Sequence, residues 1–302
     1  MTGNKPPSEV SINHDLIGTL LSEFLPELAG QPVEFYSAGW DNEIHRIGGE
    51  HAVRLPRREA AAELVKNEQR WLPELAELVP LPIPAPTHDG KPAFGFPWPW
   101  SIVPWFPGVT MLHAPPVDRS TLMEQLTGFM NALHVTAPDD APRNPHRGVP
   151  LADRAESVIE RISVCRPIFE SLGITAEEVR STWISLVDAP NFGADPVWVH
   201  GDLHPANILV RAGRVSAVID FGDVCSGDPA TDLAIAWMLF DDEDDRLEFR
   251  KMSTVDGHSV DVHTWRRAQG NALAHCLAVL AHSADDPAMR RMGVTTLRNV
   301  LG

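Results

Sequence analysis

Three polar residues in one stretch of the sequence have the types and the spacing that phosphoryl transfer requires. Asp202 follows the apolar run V-W-V, Asn207 comes five residues later, and Asp220 opens the tripeptide D-F-G. One carboxylate can orient and deprotonate an acceptor hydroxyl, while an amide oxygen and a second carboxylate can hold Mg²⁺ across nucleotide phosphates. The pattern therefore predicts Asp202 as the catalytic base, Asn207 and Asp220 as Mg²⁺ ligands, and ATP or GTP as the phosphoryl donor.

These residues are placed by two short apolar strands and the turn that joins them. The segments I-L-V and V-S-A-V-I flank Gly213, which marks a tight turn. A competing interpretation makes His200, Asp202 and His204 the metal ligands of a hydrolase, because alternate residues of a strand face the same way. That interpretation gives no role to Asn207 or to D-F-G.

The stretch 199–237 resembles the aminoglycoside and macrolide phosphotransferases, a family with a protein-kinase-like fold. In that family H-G-D-x-x-x-x-N replaces the H-R-D-x-x-x-x-N of protein kinases, and D-P-A-x-D-L-A, here 228–234, follows it. The resemblance covers nearly the whole chain and is weak beyond Phe240. It implies a bilobal α+β fold, with an N-terminal nucleotide-binding lobe (1–103) of a β-sheet plus a helix. A larger, mostly helical lobe (104–302) would carry catalysis and acceptor binding.

Periodicity in the N-terminal region agrees with such a lobe. Apolar positions predict a helix over 15–28 with Asn13 as its cap. The segment 33–56 predicts three strands, with a hairpin at Gly48-Gly49, and a second helix is predicted over 59–77. The first hairpin turn, with Ser37, Gly39 and Asn42, stands where a kinase loop would cover the nucleotide phosphates.

The third strand offers an arginine where a kinase has the lysine that grips the phosphates. This residue is Arg54, in V-R-L-P-R-R, a pattern similar to that of macrolide phosphotransferases. Arg57 and Arg58 are the competing cations. We expect Glu68, on the second helix, to be the ion-pair partner of Arg54, with Glu63 as the alternative. The resemblance also implies a nucleotide-contacting hinge that includes Val103 and Trp105.

Composition limits the partners and the compartment. The 302 residues carry a formal charge of −16, which argues against nucleic acid or an anionic membrane as partner. No signal-peptide pattern or membrane span is visible, and the three cysteines are scattered, so we expect a cytoplasmic protein. The expected partners are a nucleotide and a small-molecule acceptor, and the chain could be a monomer or a homodimer.

The acceptor is the least determined part of the prediction. The resemblance implies an aminoglycoside or a macrolide, with a metabolite such as choline or homoserine, or a non-catalytic nucleotide-binding relative, as alternatives. Asp223 and Asp232 are the expected acceptor-binding residues. The acidic run at 241–245 is either a solvated loop or an attraction for a polycationic acceptor. No A-P-E motif follows D-F-G, which disfavours a protein substrate.

Overall fold

The structure, a computed structural model, describes residues 6–283 and 285–302. Contacts divide the chain into two units. The first runs up to Leu78 and includes Pro82–Pro107 and Ala217–Gly222, and the second contains Val79–Leu81, Gly108–Ser216 and Asp223–Gly302. The lobes expected from the sequence, 1–103 and 104–302, are continuous, whereas these units exchange short segments at 79–81 and 217–222.

The first unit is built on one antiparallel sheet with the strand order β1-β2-β3-β5-β4. Its elements are α1 (His14–Phe24), β1 (Val33–Ala38), β2 (Asn42–Ile47), β3 (His51–Pro56), α2 (Glu59–Leu78), β4 (His88–Gly90) and β5 (Trp100–Pro104). The three predicted strands, the hairpin between β2 and β3, and both predicted helices are therefore confirmed.

Helix α1 covers one face of this sheet with a continuous apolar cluster. Ile17 and Leu20 pack in one core with Val53, Leu55 and Trp100, all of them buried. Asn13 caps α1 by accepting the Leu16 N–H, as predicted. The helix ends four residues before the predicted end at Leu28, because Leu25 precedes Pro26 and the α conformation is disfavoured before proline.

The edge of the sheet depends on one close backbone approach. Gly90 on β4 lies over the Trp100 ring, and a Cβ there would lie 2.1 Å from that ring. Trp100 is fully buried, and its Nε1 donates to the Lys91 carbonyl. Only glycine fits at position 90, so this strand residue also determines the packing of the tryptophan.

The second unit is mostly helical. Its elements are β6 (Val109–Thr110), α3 (Arg119–Leu133), α4 (Ala155–Val164), α5 (Arg166–Leu172), α6 (Ala176–Val187), β7 (Val197–Val199), β8 (Ile208–Arg211), β9 (Arg214–Val218, whose last two residues belong to the first unit), β10 (Cys225–Gly227), α7 (Ala230–Leu233), α8 (Ala236–Leu239), α9 (Glu243–Met252), β11 (Thr254–Val255), β12 (His258–Ser259), α10 (Val262–His282) and α11 (Pro287–Leu301). Strand β7 pairs with β10 and β6 pairs with β8, both antiparallel.

Helix α10 is the central support of this unit. It contacts α4, α6, α7, α8 and α11, and most of its residues from Thr264 to Leu280 are buried. Its neighbour α4 is separated from α5 at Cys165, and Pro167 stands in the first turn of α5. No helix in the described part of the chain is long and apolar enough to cross a membrane.

Candidate active site

A tight turn after β7 presents Asp202. Gly201 has φ +87°, and a Cβ at this position would lie 2.4 Å from the Asp223 carbonyl oxygen, so the turn requires glycine. The Asp202 N–H donates to His200 Nδ1 at 3.2 Å. Asn207 Nδ2 donates to the Asp202 carbonyl at 2.9 Å and closes the turn from the other side. The predicted base and the predicted metal ligand are thus directly connected.

The Asp202 carboxylate is held by two side chains. Arg147 Nη2 donates to Oδ1 at 2.8 Å, and His204 Nε2 lies 3.4 Å from Oδ2. Burial raises the pKa of Asp202, but the Arg147 charge and then His204 outweigh burial and hold this pKa well below its usual range. Asp202 is therefore an ionised and oriented carboxylate, with a quarter of its side chain (26%) still exposed.

Arg147 joins Asp202 to a second carboxylate. Its Nε donates to Asp223 Oδ2 at 2.9 Å, and Asn144 Nδ2 donates to Asp223 Oδ1 at 2.8 Å. Asp223, predicted to bind the acceptor, thus lies beside the base but has a protein partner on each oxygen. Sequence reasoning missed Arg147 and Asn144, which lie in the loop R-N-P-H-R-G where no motif or periodicity marks them.

The prediction that Asp232 binds the acceptor is wrong. This carboxylate has 0% exposure, and its Oδ2 accepts the His200 N–H at 2.7 Å and His134 Nε2 at 3.1 Å. Its Oδ1 accepts the Gly201 N–H at 3.0 Å. Asp232 therefore fixes the backbone of the turn before Asp202 from below, and it has no access to a ligand.

The predicted ion pair in the first unit is present. Arg54 Nη1 donates to Glu68 Oε1 at 2.6 Å, and both residues are buried, at 6% and 3% exposure. Arg54 Nη2 lies 3.8 Å from Asp220 Oδ1. Burial lowers the pKa of Arg54, but Glu68 and Asp220 outweigh it and raise the pKa. The alternative partner Glu63 instead pairs with exposed Lys66.

The competing arginines support the first hairpin. Arg57 Nη1 donates to the Gly39 carbonyl at 2.7 Å, and Arg58 pairs with Asp41 at 2.8 Å. The Gly39 N–H is used as well, since it donates to the Asn42 carbonyl at 2.8 Å. Ser37 pairs with Ile44 in the ladder. The phosphate contacts expected of Ser37, Gly39 and Asn42 stay predictions.

The hinge residues lie at the end of β5. Val103 is buried and pairs with Ala52 of β3. The Trp105 N–H donates to the Glu50 carbonyl at 2.8 Å, so this backbone donor is not available to a nucleotide base. The Trp105 ring instead packs edge-on against Tyr36, with ring centroids 4.7 Å apart. Any contact of Trp105 with a nucleotide would therefore involve its backbone carbonyl or its side chain.

Asn207 and Asp220 each have an oxygen suited to Mg²⁺. Asn207 is buried, and its Nδ2 both donates to Asp202 and lies 3.3 Å from His204 Nε2, which leaves the carbonyl Oδ1 for a ligand. Asp220 has φ +65°, a region that Asp tolerates better than most residues, and 60% of its side chain is exposed. A hard cation prefers such carboxylate and amide oxygens.

The hydrolase interpretation finds no support. Within the described residues, no group of three or more His, Cys, Asp or Glu side chains is placed to hold a metal ion. His200 Nδ1 accepts the Asp202 N–H and His204 Nδ1 accepts the Ala206 N–H at 3.2 Å, so both nitrogens serve the turn itself.

The chain matches the model of a family described as the phosphotransferase enzyme family over residues 32–270. The chain belongs to this family. The match continues thirty residues past Phe240, where the motifs alone gave only a weak resemblance. Membership in the phosphotransferase enzyme family confirms the resemblance stated from the H-G-D and D-F-G segments.

Individual relatives agree with this family. The chain is 28% identical over 135 residues to an aminoglycoside 3'-phosphotransferase from Escherichia coli, a match that covers 44% of this chain and 48% of that protein. The chain thus spans about half the length of this curated relative. The GDP complex of wild-type aminoglycoside 2'-phosphotransferase-IIIa has a TM-score of 0.61 at 20% identity, with 96% and 99% of the two chains covered. The structure of macrolide 2'-phosphotransferase from Brachybacterium faecium has a TM-score of 0.61 at 20% sequence identity. This match covers 94% of the present chain and 97% of that chain. The predicted kinase-like α+β fold is confirmed.

Proposed function

We propose that this protein is a small-molecule kinase that transfers the γ-phosphoryl group of ATP or GTP to a hydroxyl of an acceptor. The observation that carries the proposal is the Asp202 carboxylate, which is ionised, oriented by Arg147 and His204, and partly open to solvent. A nucleotide co-substrate fits relatives whose structures contain GDP or ADP.

The proposed mechanism is a direct transfer without a covalent intermediate. Asp202 accepts a hydrogen bond from the acceptor hydroxyl. This bond orients the hydroxyl oxygen toward the γ-phosphorus of the nucleotide. Because its low pKa makes Asp202 a weak base, the carboxylate orients the hydroxyl first and takes the proton late in the transfer. Arg54, positioned by Glu68, contacts the nucleotide phosphates.

The metal part of the proposal rests on the chemistry of two side chains. Asn207 and Asp220 would hold Mg²⁺, which supplies charge neutralisation on the phosphates when it is bound. Asn207 also ties its amide to the Asp202 carbonyl. The same residue would therefore couple the metal ligand to the position of the base.

The first acceptor candidates are antibiotics, since the named relatives are aminoglycoside and macrolide phosphotransferases. Three of the acids expected to attract a polycation have structural partners. Asp242 caps α9, Asp245 pairs with Arg119 at 2.8 Å, and Asp223 binds Arg147. We therefore favour a macrolide over an aminoglycoside among antibiotics. A metabolite such as homoserine is the second candidate, for the charge reason developed below, and choline is the least favoured.

The test is a turnover screen with ATP and GTP across aminoglycosides, macrolides, choline and homoserine. Asp202→Ala should lower turnover by about 10²-fold or more while nucleotide affinity by calorimetry is unchanged. Asp195→Ala, a change of an exposed aspartate in the preceding loop, is the matched control and should leave turnover intact. Near-normal turnover of Asp202→Ala would remove Asp202 from the mechanism.

The same screen tests the alternative of a non-catalytic relative. Wild-type protein that binds nucleotide but phosphorylates no acceptor would favour that alternative. We also propose a cytoplasmic location. All three cysteines are free and buried, which suits a reducing compartment.

A further inference from the structure

Three arginines of the second unit, Arg147, Arg154 and Arg161, differ in whether they form an ion pair. Arg147 is neutralised by Asp202 and Asp223. Arg154 and Arg161 lie in the same region of the second unit, and neither has an ion pair within the described residues. Both side chains are half-buried. A partly desolvated cation without a counter-charge is unfavourable, and such a cation is suited to bind an anionic ligand.

Arg154 is held against α10 at a fixed position. It ends the short 3₁₀ segment Leu151–Arg154, and its Nη1 donates to Asn271 Oδ1 at 2.8 Å. Leu151 packs so closely on α10 that a Cβ at Gly270 would lie 2.4 Å from it. Among the described residues, the hydrogen-bond partner of this guanidinium is a neutral amide.

The same face of α10 connects Arg154 to the base. His275 follows Asn271 by one helical turn, so their side chains are neighbours. Its ring centroid lies 5.1 Å from that of His204, which contacts Asp202. His275 Nε2 is buried without a hydrogen-bond partner, and burial, followed by the effect of His204, lowers the pKa of His275 to about 3. Neutral His275 thus adds no charge between the arginines and the base.

Arg161 lies on α4 and reaches back toward Arg154. Side chains on a helix point toward its N-terminus. Arg161 Nη1 accordingly lies 3.5 Å from Ser157 Oγ, which in turn donates to the Arg154 carbonyl at 3.0 Å. Ser157 thus links the Arg161 guanidinium to the backbone of Arg154, two helical turns before Arg161.

The charges of Arg147 and Arg161 affect the pKa of Arg154. The pKa of Arg154 falls to about 10, first through burial and then through the charges of Arg147 and Arg161. The carboxylates of Asp202 and Asp223 are near enough to act in the opposite direction. Arg154 is therefore within electrostatic reach of Asp202 and Asp223 as well as of the two other arginines.

We propose that Arg154 and Arg161 bind an anionic group of the acceptor, a carboxylate or a phosphate, while the acceptor hydroxyl lies at Asp202. Arginine suits this role because its planar fork matches both oxyanions. Such a site would favour the metabolite alternative, a small hydroxy acid or phosphate ester, over an antibiotic, and above all over a polycation, which these arginines would repel. This inference rests on the proposed kinase function for its catalytic meaning, but the anion site itself can be tested without turnover.

The binding test uses inorganic phosphate and citrate with protein saturated by Mg²⁺ and a non-hydrolysable ATP analogue, so that the nucleotide phosphates are already in place. Calorimetry should show millimolar or tighter binding of an anion to the wild type. Arg161→Gln, which loses only a 3.5 Å contact within the protein, should weaken this binding by about tenfold or more, as expected for one charge-assisted bond. Arg154→Lys provides a second, conservative variant, and Arg143→Gln, at an exposed arginine, is the control.

The kinetic test compares acceptors that differ only in the acid: homoserine with its amide, and glycerol 3-phosphate with glycerol. We expect the acid to be preferred, and Arg161→Gln to abolish this preference. Anion binding that is absent from the wild type, or unchanged in Arg161→Gln, overturns the inference even if the kinase is active. Anion binding lost in Arg161→Gln, without turnover on any acceptor, supports the anion site and counts against the kinase function.

Discussion

The buried pair of Arg54 and Glu68 gives a prediction whose size follows from the structure. The two groups are almost fully buried, and their donor and acceptor atoms are 2.6 Å apart. Removing one partner of such a pair leaves an uncompensated buried charge and costs about 3–5 kcal/mol. Arg54→Met should therefore lower the free energy of unfolding by about that amount. Glu68→Gln, which keeps an acceptor oxygen, should cost less, about 2 kcal/mol.

A double-mutant cycle isolates the pair from its surroundings. Because each single variant already breaks the same contact, the double variant should cost less than the sum of the single variants, by about 1–3 kcal/mol. Urea unfolding followed by circular dichroism measures all four proteins. Glu63→Gln disrupts the exposed pair with Lys66 on the same helix and should cost less than about 0.5 kcal/mol. Additive losses at Arg54 and Glu68 would show that the pair contributes no coupling.

The nucleotide role of Arg54 needs a second readout. Arg54→Lys keeps the charge but loses the fork that reaches Glu68 and lies 3.8 Å from Asp220. It should raise the nucleotide KM, with a smaller loss than Arg54→Met. If both variants lose stability and keep a normal nucleotide KM, Arg54 is only structural. A large KM defect in Arg57→Met would instead identify Arg57 as the phosphate-binding cation.

Asp220→Ala should remove the Mg²⁺ dependence of nucleotide binding, measured by calorimetry, because the metal loses its charged ligand. An unchanged Mg²⁺ dependence would exclude Asp220 as a metal ligand. Arg147→Lys should lower turnover less than Arg147→Gln. The ammonium group of lysine keeps the positive charge, although it bridges Asp202 and Asp223 poorly. Equal losses of turnover in the two variants would mean that the charge of Arg147 is not what supports turnover. His275 has its pKa lowered to about 3, so between that value and about 6.5 the unfolded chain binds a proton that the folded chain does not. The free energy of unfolding should therefore fall as pH falls through this window, and His275→Phe should flatten the slope; an identical slope would mean that His275 is not the group responsible.

Local signals explain why the first unit was predictable from the sequence. The hairpin at Gly48-Gly49 and the alternation on β2 and β3 depend on neighbouring residues, and the structure reproduces them. The pair of Arg54 and Glu68 was also predictable, because a charge in a buried strand requires a partner on the adjacent helix. Of the glutamates on this helix, the sequence analysis named Glu68 with Glu63 as the alternative, and the structure pairs Arg54 with the buried Glu68.

The environment of the base was not predictable in the same way. Arg147 lies 55 residues before Asp202 in a loop without periodicity, so only the tertiary fold brings them together. For Asp232 the difficulty is different. Its motif indicates that the residue matters but does not indicate that its side chain is buried. The apolar residues that follow it, L-A-I-A-W, were a signal that this carboxylate faces the core.

The acidic run and the arginines without an ion pair lie on different elements of the described chain, so net charge alone does not indicate the charge of the acceptor. The acidic run at 241–245 forms the first turn of α9, where Asp242 is the cap and negative charge is favourable at a helix N-terminus. Glu243 and Asp244 are exposed and screened by solvent, so they act on encounter rather than on recognition. The combined Glu243→Gln and Asp244→Asn variant should therefore change the salt dependence of kcat/KM slightly and leave the ranking of acceptors unchanged. Arg161→Glu, which reverses the charge at one of the two proposed anion-binding arginines, should invert that ranking toward cationic acceptors. A changed ranking in the α9 variant, with none in Arg161→Glu, would show that the acidic run selects the acceptor.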